Sequence, residues 1–125
     1  MSDQENLKDV AIDRKLPCEV TFEADERIFK GTSMHFSERG MLVICRHPPP
    51  LNIKGKTTLR FPGLRNIIEL NGEVVWTNIH GPGDSLSPKG MAIRFINIDK
   101  DLEVMLNGLA EQYESLSSIY SCYYT

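Results

Sequence analysis

Three groups of residues in this chain have types that could carry chemistry, and each fails on context. Gly83-Asp84-Ser85-Leu86 is a string that some esterases use to present a nucleophilic serine. Serine attacks only when a histidine takes its proton and a third group holds that histidine in place. His35, His47 and His80 all lie upstream of Ser85, where hydrolases with this string carry the histidine near the C-terminus of a much longer chain. Ser85 also falls in a Pro/Gly loop, not at a strand end leading into a helix. The stretch from Gly81-Pro82-Gly83 to Lys89-Gly90 has the glycines of a phosphate loop, but it leads into a strand and offers a phosphate no helix N-terminus. Cys45 and His47, with His35, lack the four ligands and paired spacings of a zinc site. No catalytic centre, metal or cofactor emerges, and the chain reads as a binding protein, not an enzyme.

Charge narrows what could be bound. The net charge is −3, but Arg39, Arg46, Lys54, Lys56, Arg60 and Arg65 fall in a stretch from Arg39 to Ile68 with no acidic residue, leaving eight basic against seventeen acidic residues elsewhere. An acidic chain is a poor non-specific nucleic-acid binder, because duplex affinity rests on neutralising many phosphates. A local basic segment still suits a small anion, or simply lies on solvated strand faces beside acidic neighbours.

The elements that would position such a site follow from periodicity. Residues 1–13 lack it and read as a flexible arm ahead of one domain over 14–125. Alternation predicts a strand from Cys18 to Phe22, a turn at Ala24-Asp25-Glu26-Arg27 and a second strand from Ile28 to Phe36, the two forming a hairpin. Ser37-Glu38-Arg39-Gly40 is a second turn, with glycine free to take positive φ. Met41 to Cys45 is apolar throughout, as in a strand buried on both faces. Pro48-Pro49-Pro50 cannot join a ladder and must connect. Strands resume over Lys56–Phe61, Ile67–Thr77 and Gly90–Ile96, with Ile68, Leu70, Val74 and Trp76 on one face and a bulge or sharp bend expected at Asn71-Gly72. Trp76, Met91, Ile93 and Phe95 are the expected barrel core. After Asp99, a good N-cap, Leu102, Met105, Leu106, Leu109, Tyr113 and Leu116 recur at helical spacing, predicting a helix from about 100 to 117. The expected fold is a six-stranded antiparallel β-barrel followed by one α-helix.

In order and spacing, these segments resemble the PilZ family of bacterial domains. The resemblance rests on Arg14-Lys15-Leu16-Pro17 ahead of the first strand and His35-Phe36-Ser37-Glu38-Arg39-Gly40 after the second. Gly72-Glu73-Val74-Val75-Trp76, the strand Gly90-Met91-Ala92-Ile93-Arg94-Phe95 and a C-terminal helix complete it. It implies the six-stranded barrel and a receptor for the second messenger cyclic di-GMP. The implied binding surface combines an Arg-x-x-x-Arg segment before the first strand with Asp/Asn-x-Ser-x-x-Gly after the second. On this chain it would comprise Arg14, Lys15, His35, Ser37, Arg39 and Gly40. Arginine forks suit guanine edges and phosphates, and a carboxylate accepts from the guanine N–H edge.

The chain departs from both motifs. Four residues before Arg14 stands Val10, four before Lys15 stands Ala11, and His35 takes the acidic or amide position. A neutral imidazole has one acceptor nitrogen and cannot take two guanine donors. Losing a charged contact on each side weakens binding by about 2–5 kcal/mol, from roughly 1.5–3 per charged hydrogen bond. Weak cyclic di-GMP binding is therefore expected; the alternative is a nucleotide-independent adaptor acting through protein contacts in pilus assembly or motility control.

Three wide-spaced cysteines (Cys18, Cys45, Cys122), an acidic N-terminus with no apolar leader and no long apolar run point to the cytoplasm, without membrane insertion. Ile119-Tyr120-Ser121-Cys122-Tyr123-Tyr124 is too apolar to dangle. It should pack on the barrel or on another chain, as in a homodimer through helix and tail.

Overall fold

Alternating side chains give the strands one hidden face each, and six such faces close on one core. The computed structural model of the chain describes residues 18–78, 89–112 and 123–124. Its elements are β1 (Glu19–Ala24), β2 (Arg27–Phe36), β3 (Gly40–Ile44), β4 (Lys54–Arg60), β5 (Ile68–Asn78), β6 (Gly90–Ile96) and α1 (Lys100–Gln112). The strands form a closed barrel in the order β1-β2-β3-β6-β5-β4, with every pairing antiparallel. Closure runs through β1 against β4, from Glu19↔Arg60 to Glu23↔Lys56, which leaves no unpaired sheet edge. The six strands and the helix thus lie where the sequence places them, with the proline run in the β3–β4 connection.

Val20, Phe22, Phe29, Phe36, Met41, Val43, Leu59, Val74, Met91, Ile93 and Phe95 fill the interior. Asp99 caps α1 through its side chain, Oδ1 accepting from Leu102 N–H at 2.8 Å. Leu106 and Leu109 then join the interior core, with Leu102 and Ala110 packed against it. Met105 does not: it is 45% exposed, because buried Leu106 and Leu109 with half-buried Leu102 define a stripe that leaves 105 beyond its edge. Tyr113 and Leu116 lie outside the described residues.

Two bulges change which side chains face outward. The β2–β3 register shifts between Ser33 and His35, and the β5–β6 register shifts between Val74 and Trp76. An extra residue in a strand inverts the facing of everything beyond it. Ser33 pairs with inward Val43, whereas His35 pairs with Leu42 on the outer face. Trp76 likewise leaves the face it would share with Val74, so it packs in an outer cluster and is not barrel core. Of the bulge or sharp bend expected at Asn71-Gly72, the bulge is absent: β4 and β5 pair without a break from Lys54↔Glu73 to Leu59↔Ile68. Gly72 instead spares space inside, since a Cβ there would lie 2.7 Å from Thr57 Oγ1.

The β1–β2 turn is a two-residue hairpin with Asp25 at φ 52° and Glu26 at φ 64°. Two successive left-handed residues match the twist of a hairpin and normally favour Asn-Gly. Glutamate in that conformation is strained by roughly 1–2 kcal/mol, partly offset when glycine adds unfolded-state entropy. The double substitution Asp25→Asn/Glu26→Gly should raise stability by about 1 kcal/mol. A denaturant midpoint that does not rise, at unchanged slope, contradicts this account of the turn.

Candidate functional site

The two bulges align a row across four strands on the outer surface. His35 pairs with Leu42, Leu42 with Ala92, and Ala92 with Trp76. Beside it runs a second row, Gly40 paired with Arg94 and Arg94 with Glu73. Leu42 and Ala92 are outward-facing yet completely buried. Their cover is the end of the chain: Tyr124, 1% exposed, forms one cluster with them, and Met34, Val75, Trp76 and Tyr123 pack around it. The apolar run Met41–Cys45 is explained in part this way, Met41 and Val43 facing the core and Leu42 facing the tail. Ile44 breaks the expectation and is 45% exposed, beyond the reach of that cover.

Tyr124 contacts three of the residues singled out in the sequence. Its phenol donates to Ser37 Oγ at 3.1 Å and lies 2.9 Å from His35 Nδ1. A phenol has one proton, so the roles follow the His35 tautomer: Nδ1–H donates when the phenol proton goes to Ser37, and Nδ1 accepts when Ser37 donates to the phenol oxygen instead. The two rings stack at 5.9 Å between centroids and 24° between planes. Gly40 is glycine for close approach, not for its φ: a Cβ would first strike the Ile93 backbone carbonyl oxygen and then meet the Tyr124 ring at 2.7 Å. Burial pushes the Tyr124 phenol up from its ordinary 10.0, with the Ser37 hydrogen bond opposing and Glu38 adding to the rise. Next to it, the rings of Tyr123 and Trp76 meet at 4.6 Å.

The turn between β2 and β3 is built from the same residues. Ser37 N–H donates to the Gly40 carbonyl at 2.9 Å, and Ser37 Oγ accepts from Arg39 N–H at 3.2 Å. Arg39 in turn gives its carbonyl to Phe95 N–H, and its exposed side chain lines a surface cleft of about 350 Å³ with Glu38, Arg94 and Tyr124. Arg94 Nε donates to the Tyr124 carbonyl at 3.1 Å. The structure therefore gathers His35, Ser37, Arg39 and Gly40 at one place. Arg14 and Lys15 lie outside the described residues. Cys18, the first described residue, is tied to β2 by Cys18 N–H to Ser33 Oγ and Ser33 N–H to the Cys18 carbonyl, both 2.9 Å.

Tyr124, Arg94 and Trp76 are contributors the motif reading did not assign. Only the apolarity of the tail pointed to Tyr124, and the part of the tail from 119 to 122 lies outside the described residues. The other candidates disperse. Lys56 pairs with Glu69 at 3.2 Å on a half-exposed strand face, and Arg46, Lys54, Arg60 and Arg65 are exposed. Among the described residues no three His, Cys, Asp or Glu side chains are grouped to hold a metal. Gly81 to Pro88, with Ser85, lie outside the described residues.

A comparison with protein families matches residues 8–112 to the model described as PilZ domain. No curated protein matches the chain.

The contacts of the phenol set two expectations. Tyr124→Phe keeps the ring but loses both hydroxyl contacts, and should reduce stability at neutral pH by about 1 kcal/mol. Because the docked phenol has the higher pKa, its contribution is complete below pH 10 and is lost as the pH climbs past that value. Thermal melts should thus show the gap between wild type and Tyr124→Phe narrowing above pH 10. A gap that is absent at neutral pH, or constant to the highest measurable pH, contradicts the hydrogen-bonded docking.

Proposed function

The chain belongs to the PilZ domain family, a family of binding and regulatory domains, and from that premise we propose that it is a cyclic di-GMP-responsive regulatory domain of low affinity. The observation carrying this reading is the convergence of His35, Ser37, Arg39 and Gly40 on one outer face of the barrel. Ser37 offers a hydroxyl, Gly40 a bare backbone for close approach, and Arg39 a guanidinium above the adjacent cleft. Arg14 and Lys15 supply the cationic side of the ligand surface, toward the phosphates and guanine edges. His35 stands where a carboxylate or amide would grip guanine, and this sets the affinity low. The site of action is the cytoplasm, in keeping with the free thiols of Cys18 and Cys45. No helix among the described residues is long and apolar enough to cross a membrane.

A second reading is favoured by the burial of Tyr124 against the motif residues. In it the tail stays docked, cyclic di-GMP plays no part, and the domain acts as an adaptor through protein contacts in pilus assembly or motility control.

Calorimetric titration with cyclic di-GMP separates the two. Wild type should bind weakly; His35→Asp restores a guanine acceptor and should tighten binding about tenfold or more, with Val10→Arg adding to it. Arg14→Ala should abolish what remains. Absence of binding even in the doubly restored variant overturns the receptor reading in favour of the adaptor, and tight wild-type binding overturns the assignment of low affinity to His35.

A further inference from the structure

The motif surface is not open. Every described residue assigned to it touches Tyr124 or borders it: His35 and Ser37 by hydrogen bonds, Gly40 by ring contact, and Arg39 across the shared cleft. The docking has the features of ligand recognition. An aromatic ring stacks on an imidazole, its polar edge is satisfied by two side chains, and it sits on a glycine that leaves room for it. An arginine holds the backbone carbonyl of the same residue. The neighbouring tyrosine is anchored independently on Trp76.

We propose that Tyr123–Tyr124 is the resident internal occupant of the ligand surface, so that cyclic di-GMP enters only by displacing it. This rests on the receptor reading above and adds the output: undocking of the C-terminal residues. A base stacked over His35 and a phosphate or guanine edge at Ser37 and Gly40 would need the volume that the Tyr124 ring fills. Occupancy by one excludes the other. Displacement bares Leu42, Ala92 and Trp76, an apolar row on the outside of the barrel, and turns ligand binding into exposure of a new surface. The tail also contributes to the low affinity, since a ligand that binds only the undocked fraction is weakened in proportion to it.

Trp76 is the only tryptophan in the chain, and its contact with Tyr123 makes its emission a direct gauge of docking. The experiment uses the full chain as wild type, Tyr124→Ala and Tyr124→Phe, each checked for folding by far-ultraviolet circular dichroism, and titrates cyclic di-GMP by calorimetry and by Trp76 emission. Tyr124→Ala should change the emission without ligand and bind cyclic di-GMP about tenfold more tightly than wild type, with Tyr124→Phe between the two. Saturating ligand should move the wild-type emission toward that of ligand-free Tyr124→Ala. Ligand binding with no affinity gain in either variant and no emission change in wild type overturns the displacement while leaving the receptor reading intact. Failure of all three proteins to bind, tested beside the doubly restored His35→Asp/Val10→Arg variant, separates the remaining cases. Binding by that variant alone overturns the displacement, and binding by none overturns both readings together.

Discussion

Facing parity is the constraint on which this structure turns. In a closed barrel each strand must keep its apolar positions inward for its whole length, because no free edge exists where a misfit can escape. β2 and β5 are the two longest strands, and each carries a bulge in its second half. Inward of the bulges, Phe29, Ser33, Leu70 and Val74 belong to the barrel; past them, His35 and Trp76 belong to its outer surface. One inserted residue in each strand therefore creates the outer row to which the rest of the site attaches. A regular β2 would bring His35 to the inside beside Ser33 and leave the Tyr124 phenol with Ser37 alone.

Once that row exists, it has to be covered. Leu42 and Ala92 are apolar and outward-facing, and left in water they would forfeit burial that interior residues enjoy. Tyr124 covers them with an amphipathic ring whose single polar group meets a serine and a histidine, as a buried hydroxyl must. Hydrophobic cover and polar satisfaction are thus met by one side chain, and both meet at the residues that carry the family motif. The coupling between fold and site follows: any molecule that needs Ser37 and Gly40 also competes with the cover of the barrel's outer face.

Much of this was legible in the chain before its structure. Period-two alternation reads out six strands and 3.6-residue spacing the helix, because backbone geometry sets those periods and one-sided burial writes them into the sequence. The turn chemistry of Ser37 to Gly40 was visible too, although Gly40 serves close approach and not positive φ. What alternation could not show was where it is broken. Neither Met34 nor Val75 carries a composition signal for a bulge, whereas Asn71-Gly72 does and pairs regularly. Alternation alone therefore places Trp76 in the core, whereas the shifted register puts it in the outer cluster. Tyr124 lies 89 residues from His35, and no local pattern can announce a contact at that separation.

The departure at position 35 acquires a second meaning from the geometry. A carboxylate there would sit beneath a nearly fully buried tyrosine, with a neutral hydroxyl in reach and little water, and desolvation penalises a charge in such a place. A neutral imidazole carries no such penalty, matches the phenol with one nitrogen and offers a flat face to its ring. The residue type that weakens recognition of guanine is therefore the type that suits a docked tail. Loss of the acidic residue and burial of Tyr124 are two sides of one arrangement. The surface retains its serine and glycine, but its histidine is matched to an occupant that the chain itself supplies.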